Sequence, residues 1–216
     1  DITLTGHAIE ARLYVEDPYT GFTPQTGTVL WWQPADALHA GVRVDDGIVQ
    51  GGVVSPFYDP MVAKIIVHGR DRDDAIRRLR AALTNTPLLG LKNNARFLSD
   101  LVDHSAFRRA EMTTALIDQW QEQGEPLLQA PVPSDDVWRL AAVSLAARNG
   151  SSWRANSVAA FDLRLQCGEQ VRSLRVRLDR QGGVESSLDG NLQTAQTATV
   201  LDFADGRLRY AVDGVA

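Results

Sequence analysis

The chain has 216 residues, of which 44% are hydrophobic and 23% are charged, and its formal net charge is −5 at pH 7. This balance is typical of a globular protein and excludes a disordered tail, a collagen-like chain and a coiled coil. The acidic chain has no run of basic residues and no apolar run near the ~18 residues of a membrane helix, so we expect neither a nucleic-acid partner nor a membrane span.

The first 70 residues predict an antiparallel sheet. Apolar and polar residues alternate over residues 4–15, which is the pattern of a half-buried strand. Shorter strands are predicted over residues 28–32 and 40–45, and the pair Gly51-Gly52 predicts a tight turn or a bulge. Residues 61–68 are the most apolar run of this part and are predicted to form a central strand.

Helices are predicted after this sheet. Asp71 is a candidate N-cap with further aspartates in the first turn, where the helix dipole favours negative charge. The apolar residues that follow it have helical spacing and predict a buried face; they are Ala75, Ile76, Leu79, Ala82 and Leu83. Two more helices are predicted over residues 94–104 and 114–123.

The second half predicts a separate domain. Residues 124–134 contain three prolines and are interpreted as a linker. A helix over residues 134–148 is predicted to bury Val137, Trp138, Ala141 and Leu145, and from residue 160 onward the period of two returns over five predicted strands. We therefore predict an α+β fold, in which an antiparallel sheet with flanking helices precedes a helix plus small antiparallel β-barrel.

The sequence contains no complete catalytic apparatus of a familiar type. The histidines are not accompanied by a G-x-S-x-G turn, and Cys167, the single cysteine, is interpreted as a small buried hydrophobe. His7 and Glu10 are three residues apart on a predicted strand, which points them to opposite faces, so we expect no metal site. Phosphate-binding glycine loops are absent from the sequence. One cysteine and no leader sequence predict a cytoplasmic protein without an internal disulfide.

Two clusters in the predicted sheet carry charge. Arg43 lies in a short strand with valines on the opposite side, and it is open to two interpretations, a surface arginine paired with an acid or a functional cation. Lys64 lies inside the apolar run 61–68, where a lysine either extends to the surface or is paired. For Lys64 the structural and the functional interpretation both stay open.

In this order, these clusters resemble the C-terminal subdomain of biotin carboxylase, the ATP-grasp component of biotin-dependent carboxylases. The resemblance covers about residues 4–117. The matching segments are 6–14, 16–18, 21–24, 26–27, 42–45, 58–61, 63–64 and 68–69, followed by Arg72, Ala75, Leu79, Ala82, Leu83, Gly90, Asn94, Phe97 and Leu98.

The resemblance implies a reaction in which ATP phosphorylates bicarbonate and the carboxyphosphate formed carboxylates a protein-linked biotin. It implies that Arg43 contacts bicarbonate and steadies the developing charge on the biotin ureido oxygen, a kind of contact whose loss costs roughly 10²–10³ in rate. It further implies a homodimer contact at His68 and Arg72, and a position for Thr114 near the segment that closes over the adenine. Leu89 stands where the family often has an acidic residue, so we expect a different partner for Arg43.

The family's ATP lid, phosphate-binding lysines, metal-binding glutamates and catalytic glutamate lie upstream of the matched segments. Neither Lys64 nor Lys92 lies between methionines in a turn, as a biotin-attachment lysine does. We therefore expect this chain by itself to bind none of ATP, Mg²⁺, bicarbonate and biotin, the biotin belonging to a separate carboxyl carrier domain.

The second half looks like the docking region of acyl-CoA carboxylase α subunits. Residues 137–142 are most similar to the methylcrotonyl-CoA or geranyl-CoA branch, followed by the propionyl-CoA and acetyl-CoA branches. The implied partners are a carboxyltransferase β subunit and the biotin carboxyl carrier domain. The expected domains are residues 1–117 for the carboxylase part, 118–133 for the linker and 134–216 for the docking domain.

The sequence leaves alternatives open. The chain contributes to the biotin carboxylase half-reaction as part of an α subunit, or it is a non-catalytic assembly module. A third possibility is that residues 134–216 are an unrelated fused domain, because an antiparallel meander is a generic pattern. A long helix wrapped by strands would favour docking, and a flat sandwich would not.

Overall fold

The computed structural model describes residues 3–34, 41–148, 159–178, 183–189, 196–204 and 207–212. Contacts divide the chain into two compact units, Asp1–Ala130 and Pro131–Ala216. The division falls inside residues 118–133, the stretch interpreted as a linker. Within that stretch the backbone is helical over much of residues 118–128.

Short antiparallel strands form the framework of the first unit. They are β1 (His7–Tyr14), β2 (Glu16–Asp17), β3 (Thr23–Pro24), β4 (Gly27–Thr28), β5 (Trp31–Trp32), β6 (Val42–Asp46), β7 (Val53–Val54), β8 (Met61–Gly69) and β9 (Leu88–Leu89). Strands β1, β8 and β6 make a three-stranded sheet in that order, and the others pair as β2–β3, β4–β7 and β5–β9.

The apolar run 61–68 is confirmed as the central strand, β8, which pairs with β1 on one side and β6 on the other. Its side chains alternate between the two faces, so that Ala63, Ile65 and Val67 are buried while Lys64 and Ile66 are half-buried on the opposite face. The run is apolar at most positions because its inner face and part of its outer face are both covered. Residue 40, the first of the strand predicted over 40–45, lies outside the described residues.

Helices follow in the first unit, and the first two of them pack on the inner face of this sheet. They are α1 (Arg72–Thr84), α2 (Ala95–Asp103), α3 (Ser105–Arg108) and α4 (Leu116–Gln123), with single 3₁₀ turns at Pro18–Thr20 and Pro126–Leu128. The predicted cap is confirmed, because the Asp71 side chain accepts a hydrogen bond from the Asp74 amide at 2.8 Å. All five predicted apolar residues of α1 are buried against the sheet.

A glycine allows α1 to approach the sheet closely. A Cβ atom at Gly69 would lie 2.4 Å from the backbone nitrogen of Ala75. The turn from β8 into α1 therefore requires a residue without a side chain. This close approach fixes the end of β8, which carries His68, against the first turn of α1.

The second unit packs one helix on an antiparallel meander. Helix α5 (Asp135–Arg148) precedes β10 (Ala159–Cys167), β11 (Gln170–Leu178), β12 (Gly183–Leu188), β13 (Gln196–Ala204) and β14 (Arg207–Val212). The five strands pair only with their sequence neighbours among the described residues. The predicted helix and strands, and with them the α+β class, are confirmed, but the described strands form an open sheet and no closed barrel.

The buried face of α5 differs from the predicted one. Trp138 and Ala142 are buried, together with Val143 and Ala146, whereas Val137 is 52% exposed and Leu145 is 41% exposed. The helix is apolar on more than one side, so the pattern of apolar residues does not fix which side faces the sheet. Because α5 packs against β11 and β12, the face that it buries is shifted by about one residue from the predicted face.

The interpretation of Cys167 as a buried hydrophobe is wrong, because this residue is exposed at the end of β10. A strand end next to the Gly168 turn leaves its side chain outside the core. In the described ranges, no helix is both long enough and apolar enough to cross a membrane.

Candidate functional site

The outer face of the three-stranded sheet collects charged side chains. The register pairs Glu10 with Ile66 and Ile66 with Arg43, and in the next row Arg12 with Lys64 and Lys64 with Asp45. Because alternate residues of a strand share a face, these side chains lie together, opposite the face that packs on α1. We call this set the polar face; its members are Glu10, Arg12, Arg43, Asp45, Lys64 and Ile66.

Arg43 is held by a two-point ion pair on this face. Its Nε donates to Asp45 Oδ1 at 2.7 Å and its Nη2 donates to Asp45 Oδ2 at 2.9 Å. Hydrogen bonding to Asp45 raises the pKa of Arg43, and hydrogen bonding to Arg43 lowers the pKa of Asp45. The Arg43 side chain is 72% exposed, and the two bonds to Asp45 use neither Nη1 hydrogen nor the second Nη2 hydrogen.

The other charges of the polar face leave it with a positive excess. Arg12 donates to Glu10 at 3.0 Å, and this bond raises the pKa of Arg12. Lys64 lies across the strand from Asp45 and contributes to lowering its pKa. Three cations and two carboxylates give this set a net charge of +1. Because Lys64 pairs with Arg12 and Asp45, it lies on the outer face of an otherwise apolar strand.

An open cleft of about 420 Å³ borders the polar face. Asp45, Asp46 and Lys64 line it from the sheet, and Tyr58 and Asp59 line it from the loop before β8, so its charged lining is three carboxylates and one lysine. Arg43 is outside its lining. The cleft brings the matching segments 58–61 and 63–64 next to the strand that carries Arg43, although they are more than ten residues from it in the sequence.

His68 and Arg72 lie at one end of the same sheet, where they make contacts inside the first unit. The His68 Nε2 atom is 3.0 Å from the carbonyl oxygen of Thr5. Arg72 Nη1 is 3.2 Å from His7 Nε2, and its Nε donates to the Arg108 carbonyl at 3.4 Å. The Arg72 guanidinium also lies 5.0 Å from the centre of the Phe107 ring, a cation–π contact.

Arg72 thus links the start of α1 to β1 and α3. A guanidinium with these internal contacts has a structural role that the sequence did not indicate. His68, in contrast, is exposed. Thr114 is exposed in the turn directly before α4.

Sequence reasoning did not single out Asp45 as the partner of Arg43. The signal was present, because residues two apart on a strand point the same way. Leu89, at the position that is often acidic in the family, pairs with Trp31 in the β5–β9 ladder and is 57% exposed. No group of three or more potential metal ligands among His, Cys, Asp and Glu occurs in the part of the chain that the structure describes.

The chain is similar to known proteins over its first half above all. The family model for the biotin carboxylase C-terminal domain matches residues 10–119. The methylcrotonoyl-CoA carboxylase subunit alpha of Oryza sativa subsp. japonica is 42% identical over 120 residues, which are 56% of this chain and 16% of that protein. The propionyl-CoA carboxylase alpha chain of Ruegeria pomeroyi is 37% identical over 164 residues, 68% of this chain and 24% of that protein.

A solved structure of a biotin carboxylase domain also matches this chain. The biotin carboxylase domain dimer of the Hydrogenobacter thermophilus 2-oxoglutarate carboxylase, in complex with MgADP, ADP and bicarbonate, matches with a TM-score of 0.55 and 27% sequence identity. The match covers 61% of this chain and 28% of that chain. This chain therefore spans about a quarter or less of the length of the curated relatives given above.

Proposed function

The chain belongs to the biotin carboxylase C-terminal domain family, and from this premise we propose that it is part of the α subunit of a biotin-dependent acyl-CoA carboxylase. Its first unit would contribute to ATP- and bicarbonate-dependent carboxylation of protein-linked biotin. Relatives of the methylcrotonoyl-CoA and propionyl-CoA branches support an acyl-CoA as the final acceptor. The observation that carries the proposal is Arg43, exposed on a positively charged sheet face inside the family segment.

The residues of the polar face fit an anion. In the assembled enzyme, bound ATP would activate bicarbonate, and biotin would accept the carboxyl group. Arg43 would bind bicarbonate and stabilise the charge that develops on the ureido oxygen, because a guanidinium offers fixed N–H donors to an oxyanion. Asp45 occupies Nε and Nη2 and would leave Nη1 for that contact. Lys64 would add positive charge in the neighbouring row.

The roles of the remaining residues are proposals as well. His68, exposed at the end of β8, would lie in a carboxylase homodimer contact, a proposal that rests on the resemblance; the solved relative is itself a dimer. Arg72 would support that contact by fixing the first turn of α1. Thr114 would lie beside the adenine site, a proposal that rests on the resemblance alone. Mg²⁺ would be held outside the residues of this chain.

Replacement of Arg43 tests this proposal. In a complete α subunit that contains this chain, Arg43→Ala should lower biotin-dependent carboxylation about 10²–10³-fold, since an oxyanion contact is lost. The KM for ATP should stay nearly unchanged, because the guanidinium would face biotin and bicarbonate. The matched control is Arg96→Ala, which removes an exposed arginine paired with Asp100 on α2. An equal effect of both variants, or a parallel loss of ATP affinity, would contradict the role of Arg43.

A second function, docking, is favoured by the separate second unit. This unit has its own core between α5 and the sheet, and the Ruegeria relative matches beyond the family segment. We propose that residues 131–216 attach the chain to a carboxyltransferase β subunit and the carboxyl carrier domain. If the first unit makes no catalytic contribution, the whole chain would be an assembly module.

Pull-down with the cognate β subunit separates these functions. The 216-residue chain and residues 131–216 should both retain the β subunit, whereas residues 1–130 should not. Circular dichroism on each piece controls for folding. Retention by residues 1–130 alone would contradict docking through the second unit.

The cytoplasmic location stays a prediction. The methylcrotonoyl-CoA carboxylase subunit of Oryza sativa carries a name that places it in mitochondria.

A further inference from the structure

Exposed apolar side chains collect in the segment between β6 and β8. Phe57 is 87% exposed and Tyr58 is 84% exposed, and Val49 and Val53 are exposed as well. Apolar residues that are exposed together mark interaction sites, and aromatic side chains are enriched in protein interfaces. We call Val49, Val53, Phe57 and Tyr58 the apolar patch.

The apolar patch flanks the open cleft that borders the polar face. Val53 and Tyr58 line this cleft together with Asp45, which holds Arg43. Phe57 directly precedes Tyr58 and lies outside the lining. The apolar patch is therefore next to the residue that carries the proposed function.

Backbone hydrogen bonds hold the segment in place. The Gly52 amide donates to the Val49 carbonyl at 2.9 Å, and the Val29 amide donates to the Gly52 carbonyl at 2.9 Å. Val54, which follows Val53, is buried in the same core cluster as Val29. A surface that is already ordered loses less conformational entropy when a partner binds.

The cleft beside the apolar patch carries negative charge. Its three carboxylates and one lysine give a net charge of −2, which becomes −1 when Arg43 is counted against Asp45. Glu16 adds a carboxylate near Asp59, because burial raises the pKa of Glu16 and the charge of Asp59 raises it further. Charge complementarity therefore favours a partner surface with lysine or arginine among apolar residues.

We propose that the apolar patch and the cleft dock the biotin carboxyl carrier domain while it presents biotin to Arg43. This inference rests on the proposed function. In that function biotin is linked to a protein, so it has to reach Arg43 from outside this unit and to leave after carboxylation. The surface beside Arg43 then has to stay open to a mobile partner, because a permanently packed segment would block that path.

Two acceptors separate docking from chemistry in the complete α subunit. The biotinylated subunit would carboxylate the biotin on its own carrier domain, whereas the unbiotinylated subunit is supplied with free biotin, which needs no docking. Incorporation of labelled bicarbonate measures both reactions. A tethered domain is at about millimolar effective concentration, so a weaker contact lowers its docked fraction.

Phe57→Ser should slow the carboxylation of carrier-linked biotin about tenfold, because exposed aromatic residues contribute strongly to binding. It should leave kcat/KM for free biotin unchanged, since Phe57 lies outside the cleft lining. Val49→Ser should act in the same direction with a smaller effect. The matched control is Leu4→Ser, which removes an exposed apolar side chain that is not part of the apolar patch and should change neither reaction.

The outcomes distinguish this inference from the proposed function. Arg43→Ala should slow the reaction with both acceptors. If Phe57→Ser slows both acceptors equally, or neither, docking at the apolar patch is wrong and the role of Arg43 is unaffected. If the unaltered subunit carboxylates neither acceptor, the proposed function is wrong, and this inference with it.

Discussion

At the scale of single residues, Arg43 illustrates what strand geometry contributes to a functional group. The structure confirms one of the two sequence interpretations, because Arg43 is paired with an acid, and the functional interpretation stays a prediction. Asp45 holds the guanidinium at two points, and an exposed pair of this kind adds little to folding stability. The pair holds the guanidinium through Nε and Nη2, and in the proposed function Nη1 would bind the external anion. We therefore interpret Asp45 as a positioning residue for Arg43.

Asp45→Asn should reveal this positioning in the complete α subunit. The amide keeps the shape of the side chain but removes its charge, so Arg43 becomes less well oriented. We expect kcat for biotin carboxylation to fall about tenfold, less than for Arg43→Ala, because misplacement of a group costs less than its removal. Steady-state kinetics with biotin and bicarbonate as variable substrates would measure this effect.

The control for Asp45→Asn is Glu111→Gln. Glu111 pairs with Arg109 two residues away at 2.9 Å, and this contact lowers the pKa of Glu111 as Arg43 lowers that of Asp45. Thermal stability should be nearly unchanged in both variants. A similar loss of activity in both would mean that charge removal anywhere on the surface is sufficient, which would exclude a positioning role for Asp45.

At the scale of elements, the start of α1 depends on a buried carboxylate. Asp74 is 5% exposed and accepts hydrogen bonds from the Arg70 amide at 3.0 Å and from Arg78 Nε at 3.2 Å. Arg77 is a further ion-pair partner. The hydrogen bond from the Arg70 amide, followed by the charge of Arg78 and the side-chain hydrogen bonds from Arg78 and Arg70, lowers the pKa of Asp74 from 3.8 to about 2. One carboxylate therefore joins the β8–α1 turn to the first two turns of the helix.

This depressed pKa gives a prediction for acid stability. A carboxylate with a lower pKa in the folded state stabilises the fold fully above its unfolded pKa, and this contribution is lost as the pH falls through the folded pKa. For Asp74 the window runs from about pH 4 down to about pH 2. Asp74→Asn should lower the urea midpoint at pH 6 and make the midpoint less dependent on pH in this window.

Asp73→Asn is the matched control for Asp74, because Asp73 is an exposed aspartate in the same first turn of α1. Its removal should change the urea midpoint much less at pH 6. If both variants lower the midpoint equally, the helix dipole accounts for the effect, and the hydrogen bonds of Asp74 do not.

At the scale of the whole molecule, the two units have separate cores. Leu79 lies in the core under α1, and Leu174 lies in the core between α5 and the meander; both are 1% exposed. Units with their own cores are expected to unfold as separate cooperative transitions. The chain should then be described by two free energies of unfolding.

Core truncations test this independence. Leu79→Ala should destabilise the first unit by about 2–5 kcal/mol and leave hydrogen exchange in the second unit unchanged, because only its own core loses packing. Leu174→Ala should have the reverse effect. Hydrogen exchange measured by mass spectrometry, peptide by peptide, distinguishes the units. Loss of protection in both units from either substitution would mean that they unfold as one.

The sequence by itself determined the elements whose signals are local. The β8 run, the Asp71 cap, the buried face of α1 and the five strands of the meander follow from alternation, helical spacing and capping chemistry, which each residue carries with it. The ordered motifs of residues 4–117 likewise indicate the family by themselves.

Only the tertiary structure decided the rest. The partner of Arg43, the internal contacts of Arg72, the buried face of α5 and the open sheet all depend on which elements pack together. A helix that is apolar on several sides can bury any of them, and a guanidinium can pair with any carboxylate within reach. Packing and strand register make that choice, because they involve residues far apart in the chain.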